Sequence, residues 1–400
     1  MRRWILLLFL AVQSCGLHEI SGIGEITAGG VWGGPVNGQT GVEPLQSTCY
    51  MTAVDYKKGY DWLADQAKEN VKCSLVVYVD GVPVMKVPVG KEYEISSDPD
   101  MHRVIGGNLY TDYSTETETV VKKNGSTLFR YEGRESLCGM QVIGDDIYTL
   151  GQNREGEGFA FRKNGEPLIY RSSGYVVGDL VNDNDTLCFS FSEQITTAEG
   201  HVDRYYGVVN GDVFQIAVRP DIEKIWDIVF CNGRVAYLAS LIGVAAPVMV
   251  DGDRMFSLSA QYPKFMMLSC SLHAVEDRIL ADGIYMLPNG MIINSLWLDG
   301  KILETLPQGY TVSAVDVSEG GVSCAVNPPG QSSSGFIYRD GEVYELPQGY
   351  KVMGGRCISM VNGILHVGLS SVENGFPVVW KDAALDTLRI NGYISGISCD

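Results

Sequence analysis

The sequence predicts an all-β fold, a β-propeller of eight four-stranded blades. One observation is a dipeptide that returns at nearly constant spacing. Asp80-Gly81, Asn124-Gly125, Asn164-Gly165, Asn210-Gly211, Asp251-Gly252, Asp299-Gly300 and Asp340-Gly341 are followed by a degenerate copy, Asp382-Ala383. A fixed period of about 40–50 residues marks a repeat architecture. A second observation is that β-rich runs flank the dipeptide, as in Ser295-Leu296-Trp297-Leu298 before one copy and Glu342-Val343-Tyr344-Glu345-Leu346 after another. The third is that no long segment has helical periodicity; the best short stretch, Tyr60 to Val71, reads as a loop insertion with one or two helical turns.

From the N-terminus, Arg2 and Arg3 precede an apolar run, Trp4 to Val12, that is too short to span a bilayer and ends at Ser14-Cys15. This pattern predicts a signal peptide over 1–14 and export from the cytoplasm. A Cys after a small residue at this place has the form of a lipobox, so Cys15 is expected to carry lipid. Residues 15–46, with Gly29-Gly30 and Gly33-Gly34, read as a Gly-rich tether. Residues 47–400 then form one propeller domain.

Within each repeat, Asn-Gly or Asp-Gly between two β runs predicts a two-residue hairpin, because both turn positions require φ > 0. Ala383 adopts that conformation less readily, so the last turn is expected to be of another type. A second turn follows, verbatim in two copies as Leu306-Pro307-Gln308-Gly309-Tyr310 and Leu346-Pro347-Gln348-Gly349-Tyr350. Next come a short apolar strand, a polar turn such as Gly144-Asp145-Asp146, and another strand. Four short strands joined by hairpins make a propeller blade. On this frame the first repeat lacks its innermost strand and the last has a surplus one, Tyr393–Cys399. The C-terminal strand is therefore expected to complete the first blade. Seven blades is the alternative, if the degenerate copies at 201–262 merge into one.

The chain has 30 basic and 48 acidic side chains and a net charge of −18, with no basic stripe. Nucleic acid is therefore not an expected partner, and adhesion to anionic lipid is opposed by charge, leaving the lipid on Cys15 as the route to a membrane. The cysteines are scattered over different blades without a CxxC pair, so most read as small buried apolar residues. Cys49 and Cys399 are the exception. The closure sets their strands side by side, which places two thiols together or permits a disulfide.

The lipobox-like Cys15, the aromatic-x-Asp-Gly hairpins Trp297 to Gly300 and Tyr338 to Gly341, and Gly-Asp-Asp-Ile-Tyr at 144–148 resemble lipoproteins of Bacteroidetes with a propeller of Lys-Asn-Gly repeats, most of them of unknown function. The resemblance implies a propeller fold and an envelope address. It supplies no catalytic residues.

Chemistry in a propeller concentrates where the innermost strands converge. The polar residues that recur on those strands are His102, Arg103, Gln141, Asp179, Asp227, His273, Asp316 and Ser359, which makes them the candidate channel-lining set. Asp98 and Asp100 with His102 form the densest group of ligand-type side chains. They lack an EF-hand loop and read as a solvated turn. Asp183 and Asp185 have calcium-loop composition but align with ordinary turns. No metal or cofactor is expected. No GxSxG, HExxH or P-loop occurs. The expected function is that of a cell-envelope binding or scaffold module for a glycan, peptide or protein. The alternative is a glycan hydrolase or lyase using carboxylates at the ring mouth.

Overall fold

The computed structural model describes residues 48–62, 73–89, 102–115, 117–154, 156–183, 186–197, 200–242, 247–258, 266–275, 278–316, 321–330, 333–339, 341–361, 363–373, 375–382 and 384–399. Eight antiparallel sheets of four-stranded plan are formed by these residues, and together they make an eight-bladed propeller. Numbered from the N-terminus, blade 2 runs from His102–Ile105 to Ser126–Glu132, blade 3 from Glu135–Ile143 to Glu166–Arg171, and blade 4 from Tyr175–Asp183 to Asp212–Gln215. Blade 5 runs from Ile222–Cys231 to Arg254–Ser257, blade 6 from Met266–Val275 to Lys301–Thr305, and blade 7 from Thr311–Asp316 to Glu342–Glu345. In blade 8 the innermost strand is split into Tyr350–Lys351 and Ile358–Val361, both paired to Ile364–Ser371. The copies at 201–262 belong to two separate blades, so the seven-blade alternative does not hold.

Blade 1 closes the ring. Its order is Val82–Val89, Cys73–Val79, Cys49–Tyr56, then the C-terminal strand Gly392–Cys399. The last pair runs antiparallel from Cys49 opposite Cys399 to Asp55 opposite Gly392, with a register shift between Thr52 and Ala53. Joining strands from the two ends of the domain removes the two open edges that an unclosed ring would expose. Of the proposed insertion, Tyr60 to Trp62 are described and the remainder lies outside the described residues, as do residues 1–47.

The recurring dipeptide does more than turn the chain. Asp80, Asn124, Asn164, Asn210, Asp299 and Asp382 all have φ between 39° and 52°. Their side-chain oxygen also accepts a main-chain N–H from the start of the blade's second strand. Asn124 takes Leu109 at 2.9 Å, Asn164 takes Ile147 at 2.8 Å and Asn210 takes Leu187 at 3.0 Å. Asp80, Asp299 and Asp382 do the same with Cys49, Ile279 and Leu365. The N–H of the same Asn or Asp donates back, as from Asn164 to the Ile147 carbonyl at 2.8 Å. Asn and Asp are thus selected twice, for a left-handed φ and for an acceptor of the right length. Asp382 keeps the positive φ of the other copies although Ala follows it; Ala383 lies outside the described residues.

Asp251-Gly252 departs from the pattern. Asp251 remains in the strand, paired with Arg254, and the turn falls on Gly252-Asp253. Its buried carboxylate instead holds the guanidinium groups of Arg234 and Arg254.

The cores lie between neighbouring blades. Phe159, Phe161, Phe189 and Phe191 fill the space between blades 3 and 4, with the Phe159 and Phe191 rings 4.7 Å apart. The aromatic residues before the hairpins, Tyr78, Trp297, Tyr338 and Trp380, are all buried, so they are packing residues. In blade 3 the same position holds Arg162, which is also buried. Its guanidinium grips Glu135 with two 2.7 Å bonds and stacks 4.1 Å from the Tyr131 ring.

A candidate binding site in the channel

The innermost strands carry the polar residues that the repeat frame picks out, and four of these eight tie one blade to the next. Arg103 donates to the Met140 carbonyl at 3.0 Å, from blade 2 to blade 3. Gln141 donates to the Leu180 carbonyl at 3.1 Å, from blade 3 to blade 4. The Leu272 N–H donates to Asp227 at 2.8 Å, between blades 6 and 5. The Met360 N–H donates to Asp316 at 2.5 Å, between blades 8 and 7. Ser398, which sequence reasoning missed, donates to the Val104 carbonyl and ties blade 1 to blade 2. Between blades 4 and 5 the backbones approach directly: a Cβ on Gly178 would sit 2.3 Å from the Ile228 carbonyl oxygen. At the five junctions tied in this way the side chains satisfy main-chain groups that the outward fan of the first strands would leave exposed.

The other candidates fall elsewhere. Ser359 is half-buried on the innermost segment of blade 8, opposite His366. The main chain of His102 opens the innermost strand of blade 2, and that of Asp183 ends the innermost strand of blade 4; their side chains, like Asp98, Asp100, Asp185 and Cys15, lie outside the described residues. Among the described residues, no three His, Cys, Asp or Glu side chains are grouped to hold a metal ion.

Three of the set converge. Asp179 of blade 4, Asp227 of blade 5 and His273 of blade 6 line one cavity of about 780 Å³ in the channel, together with Asn182, Asn232 and Ser271. Each comes from the innermost strand of its blade or the turn that follows. His273 Nε2 lies 2.7 Å from Asp282 Oδ2 on the neighbouring strand, which fixes the ring. Asp282 could have been found only by counting hairpin register, because it sits one strand outward from the channel.

Asp227 is the electrostatic centre of the cavity. Its Oδ1 accepts the Ile228 N–H at 2.8 Å, while Oδ2 accepts that of Leu272. Burial pushes its carboxyl up to about 6, against the two N–H bonds and His273, which favour the charged form; the negative charge of Asp179 adds to the upward push. The site is thus an acidic pocket with one carboxyl that titrates near neutrality. Such a pocket suits an amino or guanidino group, which its carboxyl groups attract.

No protein-family model matches the chain, and no curated protein matches it. Solved structures similar to it at low identity include a β-propeller domain. A puromycin-hydrolysing peptidase of Mycobacterium tuberculosis is 10% identical, with a TM-score of 0.46 over 73% of this chain and 53% of that one. The chain spans about half the length of that peptidase. The β-propeller domain of the trilobed protease from Pyrococcus furiosus is 11% identical, with a TM-score of 0.42 over 72% of this chain and 94% of that one. Dihydro-heme d1 dehydrogenase NirN is 10% identical, with a TM-score of 0.48 over 91% of this chain and 77% of that one.

Proposed function

We propose that the chain is a cell-envelope lipoprotein whose propeller acts as a non-catalytic binding module, taking a peptide or protein ligand by a cationic group in the acidic channel pocket. The observation that carries this reading is the placement of Asp179, Asp227 and His273 around one cavity of about 780 Å³. A cavity of this size holds a side chain or a short peptide, and its carboxylates favour Arg or Lys over a neutral sugar.

The carboxylate-hydrolase reading draws on Asp227 alone, whose raised pKa is typical of a general acid. Both oxygens of Asp227 are already committed to main-chain N–H groups, and one of those bonds holds blades 5 and 6 together. That engagement favours a structural and binding role.

A thermal-shift screen of short peptides and neutral oligosaccharides tests the proposal. Arg- or Lys-containing peptides should raise the melting temperature, while uncharged glycans leave it unchanged; the reverse pattern refutes it. Lipid attachment is tested separately. Cys15→Ala should move the protein from the membrane fraction to the soluble one, and unchanged fractionation would remove the anchor from the account.

A further inference from the structure

The seam that closes the ring holds a second group of reactive side chains. Cys49 opens the second strand of blade 1 and its main chain stands opposite that of Cys399 in antiparallel register; the Cys399 side chain lies outside the described residues. Cα atoms of such pairs are about 4.5–5.5 Å apart, inside the range a disulfide spans. Cys49 Sγ lies 3.4 Å from Nδ1 of His366, a blade 8 residue more than three hundred positions away in sequence. Its main chain is locked to the Asp80 turn, with its N–H on Asp80 Oδ1 at 3.1 Å and its carbonyl accepting the Asp80 N–H at 3.0 Å. The thiol faces a cavity of about 310 Å³ lined also by Asp80, His366, Lys381 and Asp386, which opens a path to it from solvent.

Burial and the nearby Lys381 charge hold His366 below its ordinary pKa, so the ring is neutral and can accept a proton. Elsewhere burial pushes the Cys73 and Cys357 thiols up to about 12 and raises Cys270 and Cys324 as well, which leaves those thiols inert.

We propose that Cys49 and Cys399 are a redox-active dithiol that clasps the ring seam, with His366 as the proton acceptor for Cys49. The oxidant is a small-molecule disulfide. Cys49 passes its thiol proton to His366, and the resulting thiolate attacks one sulfur of the oxidant. A mixed disulfide forms and one thiolate leaves, taking up that proton. The Cys399 thiol then loses its proton and attacks Cys49 Sγ, expelling the second half of the oxidant, which leaves as a thiol. Two protein thiols are oxidised and one disulfide is reduced to two thiols, so atoms and electrons balance.

The test equilibrates the full-length protein in glutathione buffers of graded redox ratio, quenches with an alkylating agent and maps the peptides by mass spectrometry. Oxidising buffers should yield a single linked pair, Cys49 with Cys399, and the oxidised form should melt several degrees higher, as closure of a long loop implies. Cys399→Ser should stop at a Cys49–glutathione adduct. His366→Gln should slow oxidation by about tenfold or more without changing the end state. Alkylation of both cysteines at every redox ratio, or linkage of any other pair, overturns the clasp; an unchanged rate in His366→Gln overturns the role of the histidine.

Discussion

Asn164 shows how much one side chain does in this repeat. It supplies a left-handed turn residue, an acceptor for the Ile147 N–H and an ion-dipole partner for Asp146 at 2.8 Å. Asn164→Ala should cost about 2 kcal/mol, through an unfavourable φ and a lost hydrogen bond. Asn164→Gly relieves the backbone and should cost about 1 kcal/mol, for the acceptor alone. Urea denaturation of the two variants separates the contributions; equal losses would show that the backbone φ contributes nothing, and no loss in Asn164→Gly that the acceptor contributes nothing. The turn was legible from the Asn-Gly dipeptide, since its φ requirement is local. The acceptor role was not, because it depends on which strand lies beside the turn. Asp227 makes a different prediction. Its folded pKa of about 6 lies above the ordinary carboxyl value of 3.8. The folded state therefore holds the proton more tightly, and the stability this contributes is complete below about pH 4 and lost as pH rises through about 6. The melting-temperature advantage of the parent over Asp227→Asn should grow as pH falls from 7 to 4. An advantage that is flat or shrinks over that window contradicts the placement of Asp227.

At the scale of the element, the blades share one plan and differ in what fills it. Where blades 1, 6, 7 and 8 bury an aromatic residue ahead of the hairpin, blade 3 buries Arg162 against Glu135, with about a tenth or less of either side chain exposed. Arg162→Ala strands the Glu135 carboxylate and should cost about 3–5 kcal/mol. The double variant Glu135→Gln/Arg162→Met, which removes the charge as well, should recover part of that loss in the same denaturation measurement; a double variant as unstable as the single one refutes the argument. The blade order, the hairpins and the inward position of the first strand could be read from the period and the turn chemistry. The shift of the turn at Asp251 could not. Two arginines three and seventeen residues away hold its carboxylate in the strand, and nothing local announces that. Gly178 is similar: its lack of a side chain is explained only by the Ile228 carbonyl of the next blade.

For the molecule as a whole, the surplus strand at one end and the missing strand at the other made the closure legible, and the pairing of Gly392–Cys399 with Cys49–Tyr56 completes it. The candidate site was legible only in part. Recurrence singled out a polar residue in nearly every blade, but recurrence is also the signature of a structural tie, and Arg103, Gln141, Asp227 and Asp316 are such ties. What distinguishes Asp179, Asp227 and His273 is that they border the same cavity, a fact of three dimensions. The central claim is that this cavity accepts a cationic group, and titration calorimetry with triarginine tests it most directly. The account predicts saturable one-to-one binding that weakens as pH falls through about 6, the value to which burial raises Asp227, and that is lost in Asp179→Asn. Absence of saturable binding, or binding that is indifferent to both pH and Asp179→Asn, would contradict it.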